Sequence, residues 1–119
     1  MKRTLIVGAT TNPARYAYKA AEMLTESGHP IVPIGIKKGV VFGEKIQNNW
    51  EQIQGIDTVT LYVGPANQLE YMDAIIAIQP KRVIFNPGTE NPDFYAKLES
   101  NGIDYEVACT LVLLRTNQY

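Results

Sequence analysis

The sequence predicts an α/β protein with a Rossmann-like, doubly wound parallel sheet of about five strands in a three-layer αβα arrangement. Short runs rich in apolar, β-branched or aromatic residues alternate with segments of helical periodicity, which is typical of βαβ units. Glycine, proline or asparagine bounds each run. Since crossovers between parallel strands are right-handed, we expect the strand order 3-2-1-4-5. The expected strands are residues 4–7, 31–34, 58–63, 82–85 and 104–107.

Residues that start and stop helices place the helices between these strands. Gly28 is a C-cap residue that ends the first helical pattern, and Pro80 ends the second, which begins near Pro65. An Asn-Pro pair precedes a third pattern. The apolar run 111–115 fits either a final helix or a strand. The expected helices are residues 14–27, 48–54, 65–79 and 93–100.

Length, composition and net charge favour a small single-domain protein and argue against partners that are recognised through a strong net charge. A chain of 119 residues has the usual length of one domain, so we expect a single domain over residues 1–119. The net charge of −1 argues against nucleic-acid and membrane partners. Cys109, the one cysteine, excludes an internal disulfide and fits a reducing cytosol. Because no apolar run is long enough for a signal peptide or a membrane span, we expect a cytoplasmic protein.

The turn after the first strand is the strongest candidate for a phosphate site. In this architecture ligands bind beyond the carboxyl ends of the strands, near the switch point beside the first strand. The sequence there is Gly8-Ala9-Thr10-Thr11-Asn12-Pro13, and a helix follows. Free N–H groups, the positive end of a helix dipole and two hydroxyls are expected at one point. The dinucleotide fingerprint GxGxxG is incomplete, because Thr10 and Pro13 occupy its second and third glycine positions.

The turn after the second strand discriminates between nucleotide ligands. A NAD site places Asp or Glu here to bind the ribose, but this chain has Gly35-Ile36-Lys37-Lys38-Gly39 and no carboxylate before Glu44. Lysines suit an additional ribose phosphate, as in coenzyme A or NADP. Exposed lysines are also commonly just solvated. Two further turns, 64–67 and 86–91, contain glycine and are expected at the same edge of the sheet.

Three sequence stretches together resemble the CoA-binding domain family, the small Rossmann-like module found at the amino-terminal end of succinyl-CoA synthetase alpha subunits. They are Val7-Gly8-Ala9-Thr10, then Pro13-Ala14-Arg15-Tyr16-Ala17-Tyr18, then Gly28-His29-Pro30-Ile31-Val32-Pro33-Ile34. The chain departs from the family at Gly35-Ile36, where many members have Asn-Pro. It departs again at Phe85-Asn86-Pro87, where many have Trp-x-Gln.

The resemblance implies coenzyme A or an acyl-CoA as the ligand, with NADP a less favoured cofactor. By position, the first turn would meet the pyrophosphate, the two lysines would approach the ribose phosphate, and the turns at Gly64 and Gly88 would flank the pantetheine arm. The candidate binding residues are Gly8, Ala9, Thr10, Thr11, Asn12, Arg15, Tyr16, Ile34, Lys37, Lys38, Gly64, Pro65, Asn86 and Gly88.

The sequence favours a ligand-binding module over an enzyme, and we predict no catalytic or metal-binding residues. His29, the one histidine, is expected at the amino end of a strand, opposite the ligand side. Cys109 lies in an apolar stretch, so we expect a buried, unreactive thiol. The module is expected to be a monomer or a homodimer. Two alternatives stay open: an NADP-dependent oxidoreductase or redox sensor, and a regulatory partner domain that has lost ligand binding.

Overall fold

The computed structural model describes residues 1–119. Alternating β and α elements follow one another along the whole chain. In chain order they are β1 (Thr4–Val7), α1 (Tyr16–Glu26), β2 (Ile31–Ile34), β3 (Val40–Val41), β4 (Glu44–Lys45), β5 (Thr58–Leu61), α2 (Pro65–Gln68), α3 (Met72–Ala77), β6 (Arg82–Phe85), α4 (Pro92–Ser100), β7 (Asp104–Val107) and α5 (Thr110–Arg115). No helix combines the length and the apolar character that crossing a membrane requires.

Five of the strands form one parallel sheet in the order β2-β1-β5-β6-β7. This confirms the predicted α/β, doubly wound fold. The predicted order 3-2-1-4-5 is wrong, because the third long strand, β5, pairs with β1 and gives the order 2-1-3-4-5. The outer edge of β2 is already occupied, since the Gln47 N–H donates to the Pro33 carbonyl and Gln47 forms a bridge with Ile34. Only the free side of β1 therefore remains for β5.

Each face of the sheet has its own apolar core, because successive side chains of a strand point to opposite faces. On one face Leu5 and Val7 belong to a buried cluster with residues of α3 and α4. There Phe85 meets the edges of Phe94 and Tyr95 at ring-centroid distances of 5.6 and 4.7 Å. On the other face Ile6 packs with buried residues of α1, and α5 contributes Leu114 beside them. The three-layer arrangement follows directly from these two cores.

Several local elements differ from the prediction. Residues 48–54 form turns rather than a helix, because Asn48 donates its amide to the carbonyls of Gly35 and Lys37 at 2.7 and 2.9 Å. The helix expected over 65–79 divides into α2 and α3. Residues 40–45 form a β-hairpin that the sequence analysis did not predict, with positive φ at Phe42 and Gly43 in its turn. The ambiguous segment 111–115 lies in helix α5.

Candidate functional site

An open cleft of about 780 Å³ crosses the carboxyl edge of the sheet at the switch point between β1 and β5. Its wall is built from the turns that follow four neighbouring strands, β2, β1, β5 and β6, together with the start of α1 and the α2–α3 turn. Adjacent strands lie about 4.8 Å apart, so the cleft extends over three spacings, or about 14 Å. An extended ligand fits such a shape better than a compact one.

The β1–α1 turn is held rigidly against its neighbours. Gly8 has φ +93°, and the N–H groups of Gly8 and Ala9 both donate to the Ile34 carbonyl, at 2.9 and 3.1 Å. A Cβ on Gly8 would lie 3.0 Å from Val63 Cγ1, so only glycine brings this backbone so close to the end of β5. Gly35, directly after β2, also permits a close approach, because a Cβ there would lie 3.2 Å from the Ala9 backbone.

The turn and the first residues of α1 leave several backbone donors unpaired. The Asn12 N–H donates to Thr10 Oγ1 and the Ala14 N–H to Asn12 Oδ1, so these two groups are satisfied. No acceptor within the protein reaches the N–H groups of Thr10, Thr11, Tyr16 and Ala17. Helix α1 also has neither an N-cap side-chain bond nor an acidic residue in its first turn. These donors and the helix dipole together form a site suited to an anion.

Charge is distributed unevenly along the cleft. Arg15 and Lys37 line its β2–β1 half, and neither forms an ion pair within the protein. Glu70 lines the other half, which contains no lysine or arginine. Burial and the neighbouring Glu70 carboxylate raise the pKa of Tyr71, which also lines this half and packs against Trp50. The cleft is therefore cationic at one end and anionic at the other.

Most of the predicted site residues come together in the cleft. Thr11 additionally contacts the start of the hairpin, since a Cβ on Gly39 would lie 2.6 Å from its methyl group. The predicted residues that line the cleft are Gly8, Ala9, Thr10, Thr11, Asn12, Arg15, Tyr16, Lys37, Gly64 and Gly88.

Four predicted site residues lie outside the lining of the cleft. Ile34 is buried behind the first turn and contributes only its carbonyl to that turn. Lys38 is exposed beside the cleft, and Pro65 is the first residue of α2. Asn86 is buried beneath the floor: its amide donates to Thr60 Oγ1 and the Leu61 carbonyl, and its Oδ1 accepts from the Thr110 N–H. Its polar atoms thus join three elements below the cleft.

Sequence reasoning missed part of the lining. Glu70 and Tyr71 lie in the break between α2 and α3, where a continuous helix was predicted, so no loop signal marked them. Tyr62 was assigned to a strand; burial raises its pKa to about 12, and its phenol oxygen is buried without a hydrogen-bond partner. Ten lining residues were not among the candidate binding residues, namely Ala17, Gly35, Ile36, Tyr62, Val63, Asn67, Glu70, Tyr71, Pro87 and Thr89, although Gly35, Ile36, Asn67, Pro87 and Thr89 belong to turns that were expected at this edge.

The two residues considered for catalysis lie elsewhere. His29 is at the amino edge of the sheet, where its Nδ1 accepts a hydrogen bond from the Lys2 N–H at 3.1 Å. Cys109 is the N-cap residue of α5 and is half-buried, so the prediction of a buried thiol is wrong in that respect. No three side chains of His, Cys, Asp or Glu are grouped to hold a metal ion.

The parallel sheet and the cleft at its switch point define a Rossmann-like, small-ligand-binding α/β domain. Residues 2–115 match the family described as CoA binding domain, and the chain belongs to that family. This confirms the resemblance seen in the β1–α1 turn and in the stretch that leads into β2.

Solved structures share the fold over nearly the whole chain. A protein described as uncharacterized is 51% identical, with a TM-score of 0.97 over 100% of this chain and 98% of that chain. A hypothetical protein from Pyrococcus horikoshii OT3 is 28% identical, with a TM-score of 0.87 over 97% of this chain and 82% of that chain. A Thermus thermophilus protein at 22% identity and a TM-score of 0.87, over 99% and 90% of the two chains, shows the fold alone. No curated protein matches this chain.

Proposed function

We propose that this protein binds coenzyme A or an acyl-CoA as a binding module, with the ligand extended along the cleft. The observation that carries the proposal is the group of unpaired N–H donors at Thr10, Thr11, Tyr16 and Ala17, in a member of the CoA-binding domain family. A pyrophosphate accepts hydrogen bonds from such donors and is favoured by the positive end of the α1 dipole. Arg15, which lines the same part of the cleft, adds a positive charge.

The adenosine end of the ligand is assigned to the turn after β2. Lys37 lines the cleft there and is free of ion pairs, so it is available to a ribose phosphate. Tyr16 and Ile36 also line this half and are largely exposed, which makes them suitable surfaces for the face of an adenine ring. The pantetheine arm then extends across the end of β5, past Gly64, towards Gly88.

Binding without catalysis fits the chemistry of the lining. The lining contains no histidine and no cysteine, so it lacks the residues that most often act as a general base or as an activated thiol nucleophile. The lysine-bearing turn suits the phosphate of NADP as well, so NADP is the second candidate ligand. NADP and coenzyme A differ in the position of the ribose phosphate and in the arm beyond the pyrophosphate.

Native mass spectrometry of freshly purified protein, followed by calorimetry, tests the proposal. We expect CoA to bind more tightly than dephospho-CoA, NAD or NADP. Tighter binding of NADP than of CoA would favour the oxidoreductase or redox-sensor alternative. Absence of binding by all four compounds would favour a regulatory domain without a ligand.

A further inference from the structure

From the order of the strands and the proposed position of the ligand, the position of the acyl group along the cleft can be inferred. Along the carboxyl edge, the turns follow in the order β2, β1, β5 and β6. This inference rests on the proposed function: with the ribose phosphate at Lys37 and the pyrophosphate at the β1–α1 turn, the sulfur end of the arm lies beyond β5. That end of the cleft is bounded by the α2–α3 turn and by Pro87, Gly88 and Thr89.

Two carboxylates define the electrostatics at this end. Glu70 lines the cleft, is exposed, and has no ion-pair partner within the protein. Glu90 accepts a hydrogen bond from the Gly88 N–H at 2.8 Å, which places a second negative charge beside the lining. The cationic side chains of the cleft, Arg15 and Lys37, lie in the opposite half. A negatively charged group arriving between Glu70 and Gly88 therefore meets like charge with no counter-ion.

We infer that Glu70 makes the cleft selective against CoA thioesters whose acyl group ends in a carboxylate. The ligand class is then free CoA or a thioester of an uncharged acyl group. Asn67, which lines the same end, supplies an amide that hydrogen-bonds to a thioester or amide carbonyl without adding charge. The selectivity is electrostatic, and because the groups are exposed its size falls with added salt.

Butyryl-CoA and succinyl-CoA are a matched pair of probes, because their acyl chains have the same length and differ in the terminal carboxylate. Calorimetry of the full chain at low ionic strength is expected to show butyryl-CoA binding about fivefold more tightly than succinyl-CoA, the size expected for a like-charge pair near a protein surface. In Glu70→Gln the ratio of the two affinities is expected to fall, and any discrimination that remains is attributed to Glu90 beside Gly88.

Glu26→Gln is the control for net charge. Glu26 is exposed at the far end of α1, at the opposite edge of the sheet, so its removal changes the charge equally without touching the cleft. The discrimination is expected to persist in this variant. Equal affinities in the unmodified protein, or an unchanged ratio in Glu70→Gln, would overturn the inference while leaving CoA binding intact. Failure of free CoA to bind would overturn the proposed function, and this inference with it.

Discussion

At the amino edge of the sheet polar groups are paired with one another, whereas at the carboxyl edge they are left open. On the amino side the Lys2 N–H donates to His29, the Lys2 Nζ donates to the Tyr119 carbonyl at 2.8 Å, and Thr4 Oγ1 and the Tyr119 hydroxyl lie 2.5 Å apart. On the carboxyl side Thr10, Thr11 and the start of α1 present N–H groups with no acceptor. One sheet thus has an edge that stabilises the fold and an edge available for a ligand.

The closed edge is also packed. The Tyr119 ring lies against His29 at a centroid distance of 4.8 Å and beneath the Arg82 guanidinium at 4.6 Å. Arg82 in turn donates to Glu106 at 2.8 Å and to Thr58. Because each group satisfies another, substitutions at this edge are expected to change stability, whereas substitutions at the open edge are expected to change binding.

Among the substitutions considered at the open edge, Gly8→Val is expected to reduce CoA affinity the most. A branched side chain at φ +93° is strained by about 1–3 kcal/mol, and its Cβ would crowd Val63 and the Tyr62 carbonyl. Movement of the turn would misplace the Thr10 and Thr11 donors. Since two charge-assisted bonds contribute about 2 kcal/mol each, we expect CoA affinity to fall about a thousandfold in calorimetry.

Gly43→Val is the control for Gly8→Val, because it introduces backbone strain at a glycine outside the cleft. Gly43 also has positive φ, +85°, but a Cβ there has no atom within 4 Å, and the residue lies outside the cleft. This variant is expected to be destabilised and still to bind CoA. A folded Gly8→Val protein, checked by circular dichroism, that binds CoA normally would show that the phosphates bind elsewhere.

Asn86→Ala is expected to lower stability. Although Asn86 follows β6 at the carboxyl edge, its side chain is buried and fully hydrogen-bonded beneath the cleft. The substitution leaves the Thr110 N–H and the Leu61 carbonyl buried without their present partner. We expect a loss of about 3 kcal/mol in urea unfolding. Asn67→Ala, an exposed amide at the cleft, is the matched control, with a change within about 0.5 kcal/mol. Equal losses in the two variants would contradict the structural role of Asn86.

Lys37→Ala and Lys38→Ala test whether position in the cleft decides the contribution of a lysine. Lys37 lines the cleft and Lys38 does not. We expect Lys37→Ala to reduce the preference for CoA over dephospho-CoA about fivefold, or about 1 kcal/mol, and Lys38→Ala to reduce it less than about twofold. The measurement is a calorimetric titration of both ligands on each variant. The opposite ranking would assign the ribose phosphate to Lys38.

The smallest expected effect is a pH dependence of stability at the closed edge. Burial, together with the positive charges of Lys2 and Arg82, lowers the pKa of His29 below its ordinary value of 6.5. Folding therefore favours the neutral ring. This preference adds to the free energy of unfolding above pH 6.5, and the added stability is lost as the pH falls through the lowered pKa. Thermal unfolding midpoints measured at several pH values are expected to decline on the acid side. His29→Asn, whose Oδ1 accepts in place of Nδ1, should weaken that decline; an identical decline would exclude His29 as its source.

The sequence predicted the turns of the open edge better than it predicted the complete set of residues that line the cleft. The glycine turn at Gly8 and the basic turn at Lys37 both line the cleft. Both could be predicted because the residues that define each turn are consecutive in the sequence. Glu70 and Tyr71 were not predicted, since their exposure depends on the break between α2 and α3. Asn86 was predicted at the cleft because it follows a strand, but its side chain turns inward to partners distant in the chain.

The sequence by itself determined the five long strands, the α/β class and the position of the glycine turn after β1, because periodicity, turn residues and right-handed crossovers are local or nearly local properties. Only the tertiary structure decided which side of β1 receives β5. That choice depends on Gln47 covering the edge of β2, a contact between segments that no local pattern relates. The same long-range packing brings Glu70 to the cleft and His29 to Tyr119, since these pairings arise only when separate loops meet at one edge of the sheet.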